Sequence, residues 1–585
     1  MSGSNTPLYC DKFARESGTV KKDWGGKISI ALTYPNRYYV GMSNLGFQVV
    51  YKFLNDREDV VAERAFLPEE MELSLHQRAG KGLISLESQS PLSRFDLIAF
   101  SLSFENDYPN MLKILELARV PLQREERDES FPLVMAGGVT TFLNPEPVSD
   151  FIDFFLLGEA EENLDRFVDL FKVTINRGNT KQELLEKLAK GMDSIYVPSL
   201  YTVEYNSEGT ISSRTPIIED INVSIKSAVV KPANLSVNRS VILSPETEFA
   251  DKLLVELGRG CGRSCRFCAA GFVYRPPRYQ DENDILNTIE TSFDGCSRIG
   301  LLSASVLDTP GIKKITERII ADNKTFSVSS LRADLLSEEM LEMLRESGQK
   351  QITIAPEAGS ERLRRVINKH LTQKQITDAV RLISRIGKFS LRLYFLIGFP
   401  TETRDDLVAI HDLVKKIKHV MIKESKSRGE IGQIRLSVNC FIPKPFTPFQ
   451  WFPMESVKSL KEKQKWLKKT FSKEGGVTVT FDVPKWAYLQ AFLSMGDRRA
   501  GAVLRKAHEY DGDFNKAFRD SELNTDFFVH RPKDLNESLP WDFIDHSLHK
   551  EFLIKEYKLA LKEKESDICD PGNCSRCGVC ENLFS

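Results

Sequence analysis

From residue 27 to about 175, short apolar runs alternate with stretches whose apolar residues recur every three or four positions. These are the signatures of buried strands and amphipathic helices. Strands are predicted at 27–33, 59–62, 96–102, 133–136 and 151–157, with helices at 45–54, 110–118 and 164–173. Strand–helix alternation of this kind implies a doubly wound parallel sheet. The rhythm breaks over 195–245, where two polar-apolar runs flank Asn206, Ser207, Glu208 and Gly209 and predict a hairpin. It resumes at 250 with strands at 252–257, 297–302, 325–329, 350–355, 389–396 and 433–441, separated by helical stretches, which makes six βα units. Beyond 455 follow an amphipathic helix over 458–473, a strand near 477–481 and helical segments ending at 548–564.

At 585 residues the chain has room for three or four domains. With 28% charged residues and a net charge of -2, nothing global advertises a nucleic-acid partner. The lysine-rich stretch 458–473 also carries Leu460, Trp466, Leu467 and Phe471, so its lysines read as the solvated face of a helix. No apolar run approaches the ~20 residues that cross a bilayer. The first residues have no apolar core of a secretory signal. Seven of the ten cysteines fall in two tight clusters, a usage that points to metal in a reducing compartment and not to disulfides. A cytoplasmic protein without a membrane partner is expected.

The first cluster is Cys261, Cys265 and Cys268, spaced CxxxCxxC, with Phe267 before the last. A four-iron cubane normally takes four thiolates, so three leave one iron open for chemistry. Zinc would want a fourth ligand, and no His or Cys follows until Cys296. The apolar run 253–257 delivers this loop through Gly258, Arg259 and Gly260, as a barrel strand delivers a site at its C-terminal end. The loop resembles that of the radical S-adenosylmethionine (radical SAM) enzymes. The resemblance implies a partial (β/α)6 barrel over 246–454 and SAM chelated to the open iron of a 4Fe–4S cluster, where it is cleaved reductively to a 5'-deoxyadenosyl radical. It further implies that strand ends bearing Ser303, Ser330, Arg332, Glu357 and Gly398, with Phe267, hold SAM. Taken singly each is also an ordinary turn or cap residue, as are Ser360 and Glu361.

A doubly wound domain ahead of such a core, here 1–194, resembles the cobalamin-binding domain of cobalamin-dependent members of that family. The expected corrin-facing residues are Gly41, Ser43, Asn44, Ser101, Ser103, Glu105, Gly137, Gly138 and Gly158. The chain lacks the DxHxxG motif, and His76 is the only histidine before residue 370, so a corrin would have no histidine ligand from this domain. The alternative is a domain that has lost the cofactor or docks substrate. After a β linker over 195–245 and the barrel comes a small mixed α/β extension, 455–585. It ends in Cys569, Cys574, Cys577 and Cys580, four thiols that suit an auxiliary iron–sulfur cluster or a zinc ion. Cys10, Cys296 and Cys440 read as structural. The stretches 443–451 (PKPFTPFQW) and 497–499 (DRR) also resemble an uncharacterised group of this family. The first marks either substrate entry or a rigid turn, the second an anion site or an internal ion pair. The expected function is radical SAM chemistry, cobalamin-dependent methyl transfer or another radical modification, on a small-molecule, RNA or protein substrate. A flavodoxin or ferredoxin would supply electrons. An RNA-modifying enzyme of methylthiotransferase type and a non-catalytic iron–sulfur electron-transfer module are the alternatives.

Overall fold

A computed structural model describes residues 14–70, 72–73, 82–175, 179–293 and 295–583. Cys10 and His76 lie outside them. The first sheet contains β1 (Ile28–Tyr34), β2 (Val60–Phe66), β3 (Leu97–Ser101), β4 (Leu133–Gly137), β5 (Phe154–Leu156) and β6 (Ile195–Tyr196). Its order is β2-β1-β3-β4-β5-β6, parallel except for β6. The 2-1-3-4-5 part is a doubly wound order whose ligands bind beyond the strands' C-terminal ends. Every residue of β1 and β2 is buried, as a parallel sheet covered on both faces requires.

The linker forms the expected hairpin, β7 (Tyr201–Tyr205) and β8 (Ile211–Pro216), followed by β9 (Ile225–Lys226). The second unit opens with β10 (Leu253–Glu256) and a small antiparallel ribbon of β11 (Gly258–Arg259) and β12 (Arg278–Tyr279). The five further predicted barrel strands are β13 (Arg298–Leu302), β14 (Thr325–Val328), β15 (Gln351–Glu357), β16 (Ser390–Ile397) and β17 (Ile434–Cys440). All pair in parallel with their neighbours, and a Leu331–Ile354 bridge joins β14 to β15. The sheet then runs one strand past residue 454. The strand expected near 477–481 is β18 (Val477–Phe481), which pairs in parallel with β17 as a seventh strand. The C-terminal region turns back on the linker, where β19 (Ile544–Asp545) pairs with β9.

The two units are fastened at the end of β5. Glu159 receives two hydrogen bonds of 2.7 Å from Arg278, whose side chain is 1% exposed. Glu161 accepts from Arg259 at 2.7 Å, and Arg259 also reaches Glu256 at 2.8 Å. Beside them Gly158 has φ +99°, and a Cβ there would lie 2.2 Å from the Ala228 nitrogen. Further along, the buried His546 ring points Nε2 at the Phe142 carbonyl, 2.7 Å away, and packs edge-on to Phe446. Burial pushes its pKa down to about 4.

Two outcomes follow. Gly158→Ala should lower the unfolding free energy by about 2–3 kcal/mol in denaturant titration, since it adds backbone strain and a clash at the linker. His546 is neutral when folded but titrates near 6.5 when unfolded, so protons favour the unfolded chain. Stability should therefore fall by about 3 kcal/mol as pH drops from 6.5 to 4. That part of the pH slope should vanish in His546→Gln.

Candidate active site

The ribbon of β11 and β12 pinches off the excursion that carries Cys261, Cys265 and Cys268. Gly260 enters it at φ +83°, where a Cβ would sit 2.2 Å from the Tyr274 carbonyl, so only glycine fits. Each of the three thiols is half-buried. Burial, followed by the charge of Cys265 and Cys261, pushes the Cys268 thiol up to about 12, and Cys265 is raised as well, burial again leading. The thiol protons must leave for metal to bind, and iron's positive charge is what offsets that cost. Three thiols with no fourth ligand fit a cluster that leaves one iron free. Among the described residues no three His, Cys, Asp or Glu side chains converge on a single ion position.

The excursion has little regular structure of its own and is held by residues that the sequence reading missed. Arg266, fully buried, donates to Glu556 at 3.0 Å, to the Arg365 and Val366 carbonyls at 3.1 and 2.9 Å, and to the Lys564 carbonyl at 2.8 Å. Asn368 donates to the Ser264 carbonyl at 3.2 Å and to Ser566 at 3.1 Å. Arg275 donates to the Ser264 hydroxyl and the Gly271 carbonyl, both at 2.6 Å. The only signal in the sequence was position: Arg266 lies inside the cysteine motif, and Asn368 lies in the stretch after Glu357.

Of the expected SAM-holding residues, Arg332 and Glu357 stand within electrostatic reach of Cys265, together with Lys369. Arg332 is already engaged with Asp334 through two 3.0 Å contacts, and Lys369 lies 3.2 Å from Glu357. Glu357 has φ +65°, a left-handed backbone uncommon outside glycine. Ser303 lines the cavity described below, whereas Ser330 is exposed. Phe267 packs on Phe399 with ring centres 5.4 Å apart. Gly398 has a packing reason to be glycine. It has φ +84°, and a Cβ there would meet Leu460 at 2.9 Å and Glu455 at 3.2 Å, so the glycine serves the approach of the helix Val457–Phe471.

A cavity of about 590 Å³ lies between the two sheets. Its floor is apolar, from Ile30, Leu32, Leu97, Ala99, Met135 and Leu156 on the first sheet. Asn44, Ser101, Ser103, Gly137, Gly138 and Gly158 border it, and Gly260, Tyr274, Ser303 and Ala304 bound the opposite side. Gly138 and Gly158 are demanded by backbone neighbours, since a Cβ would lie 2.5 Å from the Leu102 carbonyl in one case and against Ala228 in the other. Three expected residues are not in the wall. Gly41 is packed beneath Phe66, where a Cβ would come within 2.5 Å of the ring. Ser43 turns to the Tyr39 carbonyl at 2.6 Å. Glu105 is buried in an ion pair with Lys444 and accepts from Gln490 at 2.9 Å. Burial raises its pKa, but Lys444 outweighs that and holds the carboxylate low.

The Lys444 partner explains 443–451. Phe446, Phe449 and Trp451 are buried, so this stretch is a rigid packed turn. The 497–499 stretch is likewise internal, with Asp497 on Arg499 at 2.6 Å and Arg498 on Glu146 at 2.9 Å. The C-terminal cysteines return to the first cluster loop, where the Cys569 amide donates to the Gly262 carbonyl at 2.8 Å.

Residues 46–198 match the family model for the N-terminal region of radical SAM proteins, and residues 255–414 match that of the radical SAM superfamily. An uncharacterized protein of Methanocaldococcus jannaschii is 29% identical over 481 residues, 81% of this chain and 90% of that protein. The ribosomal protein uS12 methylthiotransferase RimO of Thermodesulfovibrio yellowstonii is 23% identical over 207 residues, 32% of this chain and 48% of that one. Among solved structures, the radical S-adenosylmethionine methyltransferase TsrM from Kitasatospora setae, with cobalamin and a 4Fe–4S cluster bound, aligns with a TM-score of 0.47 at 12% identity, over 70% of this chain and 72% of that one. The superfamily match spans all three cysteines of the CxxxCxxC loop and the strand ends up to Gly398. Residues 255–414 therefore form a radical SAM domain, and the chain is an enzyme that works with a 4Fe–4S cluster and SAM.

Proposed function

We propose that this enzyme is cobalamin-dependent and transfers a methyl group to, or otherwise modifies by radical chemistry, an unactivated carbon of its substrate. The observation that carries the reading is the single cavity bounded on one side by the strand ends of the doubly wound sheet and on the other by the cysteine excursion and Ser303. One chamber touching both units is what two cofactors acting on one substrate need. The apolar floor over β1, β3, β4 and β5 suits the nucleotide tail of a corrin, with Asn44, Ser101 and Ser103 as hydrogen-bonding partners at its mouth. No histidine lines the cavity, so its wall offers cobalt no histidine ligand.

When bound, the cluster, SAM and corrin supply electron transfer to SAM and a carrier for the methyl group. The chain's own part is placement and shielding. Cys261, Cys265 and Cys268 would hold three irons and leave the fourth to SAM. Arg332 and Lys369, near Cys265, counter the negative charge of a thiolate-bound cluster and of the SAM carboxylate. The apolar floor keeps water from a reactive centre. Thiols of this kind stay reduced in the cytoplasm, where we place the protein. In the lysine-rich helix Val457–Phe471, Lys463 pairs with Glu402 and Glu455, and Lys458, Lys461, Lys465, Lys468 and Lys469 form an exposed face.

The test is anaerobic purification with cobalamin supplied, followed by iron and corrin analysis and incubation with SAM and a strong reductant. One corrin per chain and release of 5'-deoxyadenosine or S-adenosylhomocysteine are expected; iron without corrin would refute the cobalamin half. Replacing the loop cysteines (C261S/C265S/C268S) should remove about four irons and reduce SAM cleavage by about a thousandfold or more. Ala99→Phe, which fills the floor, should abolish corrin retention while leaving the iron content unchanged.

A further inference from the structure

The four C-terminal cysteines are not a remote appendage. The Cys569 amide hydrogen-bonds the Gly262 carbonyl, and the Cys569 Cβ lies 3.6 Å from where a Cβ on Gly262 would be. Gly262 is the residue after Cys261, so the first ligand of each set hangs from backbone roughly two residue lengths, ~8 Å, from the other. Two side chains of the second unit lie near the tail cysteines. The Tyr279 phenol lies within electrostatic reach of both Cys261 and Cys569. Arg275, tied to the first loop through Ser264 and Gly271, lies within reach of Cys569 and Cys574.

The tail has both a buried side and an open side. Cys577 is buried, and Gly578 is pressed on His549, whose Nε2 would lie 2.3 Å from a Cβ there. Asp570 to Asn573, Ser575 and Arg576 face solvent. A zinc clamp would serve to fix the tail, but protein hydrogen bonds already fasten the segment that leads into it. Arg266 binds Glu556 and the Lys564 carbonyl, Asn368 binds Ser566, and the His549 amide donates to the Cys577 carbonyl at 3.0 Å. Cys574, Cys577 and Cys580 form a CxxC pair of steps of the ferredoxin kind, with Cys569 as the fourth thiolate.

We infer that Cys569, Cys574, Cys577 and Cys580 hold a second iron–sulfur cluster that passes single electrons from a carrier protein at the surface to the cluster on Cys261, Cys265 and Cys268. The donor is a reduced ferredoxin or flavodoxin, which loses one electron. The tail cluster gains that electron, going from its 2+ to its 1+ state, and returns to 2+ as the loop cluster goes from 2+ to 1+. No bond is made and no proton moves. The inference rests on the radical SAM reading of the loop, but not on the corrin.

The test uses the full chain, reconstituted anaerobically, beside C569S/C574S/C577S/C580S and C261S/C265S/C268S. About eight irons per chain are expected in the unaltered protein and about four in each variant. In the unaltered chain reduced with titanium(III) citrate, the low-temperature paramagnetic resonance spectrum should differ from the sum of the two variants' spectra, because neighbouring spins couple. After rapid mixing with reduced ferredoxin, the loop cluster of the tail variant should be reduced at least about tenfold more slowly than in the unaltered chain, while titanium(III) citrate reduces both equally. Zinc in place of tail iron, a spectrum equal to the sum, or equal rates with ferredoxin would each overturn the inference. If the fourfold variant does not fold, C574S, at the half-buried rim, carries the rate comparison, with circular dichroism and gel filtration as the check. Corrin is measured on the same samples. Coupled clusters without corrin would sink the cobalamin proposal and leave this one standing, and corrin with uncoupled clusters would do the reverse.

Discussion

The buried pairing of Glu159 with Arg278, backed by Arg259 between Glu161 and Glu256, is the constraint on which the rest of this molecule depends. Each carboxylate leaves the C-terminal end of β5 or of β10, and each guanidinium belongs to the ribbon that opens the cysteine excursion. Buried ion pairs repay their desolvation poorly, so their value here is register more than stability. A bidentate guanidinium–carboxylate contact tolerates little sliding. It therefore fixes how the strand ends of one sheet face those of the other, and the cavity between them takes its shape from that.

The cysteine excursion is built differently. Gly260 and Ser264 both have left-handed backbone, and the segment is too short of regular hydrogen bonds to hold three thiols in place alone. Its geometry comes from outside, through Arg266 and Asn368 to residues near 366 and 560. Charge follows the same logic. Burial makes the Cys265 and Cys268 thiolates costly, and Arg332 and Lys369 stand where they offset that cost for Cys265 only once the site is assembled.

Much of this was legible in the sequence. The strands of both sheets announce themselves because buried parallel strands are continuous apolar runs, and CxxxCxxC is legible because ligand spacing is local. Other roles were hidden because their reasons are neighbours in space. Arg266 meets Glu556, 290 residues away. Gly398 is a glycine because Leu460 presses on it, and Gly41 because Phe66 does. Glu105, polar and at a strand end, looked ready for a ligand, but its lysine partner lies in a turn 339 residues further on. The strand at 477–481 was visible as a strand, but not its place as the seventh in the parallel sheet, since pairing partners are set by tertiary packing.

The long reach of Arg266 and Asn368 also orders events in time. A chain made from its N-terminus folds its first sheet and most of its barrel while residues 550–569 are still unmade. Until those residues arrive, Arg266 lacks Glu556 and the Lys564 carbonyl, Asn368 lacks Ser566, and Gly262 lacks the Cys569 amide. The cysteine loop thus stays open to cluster delivery throughout synthesis and becomes enclosed only when the last helix and the tail dock. A chain interrupted before residue 550 would carry the three thiols but not the enclosure, and so would not retain a shielded cluster.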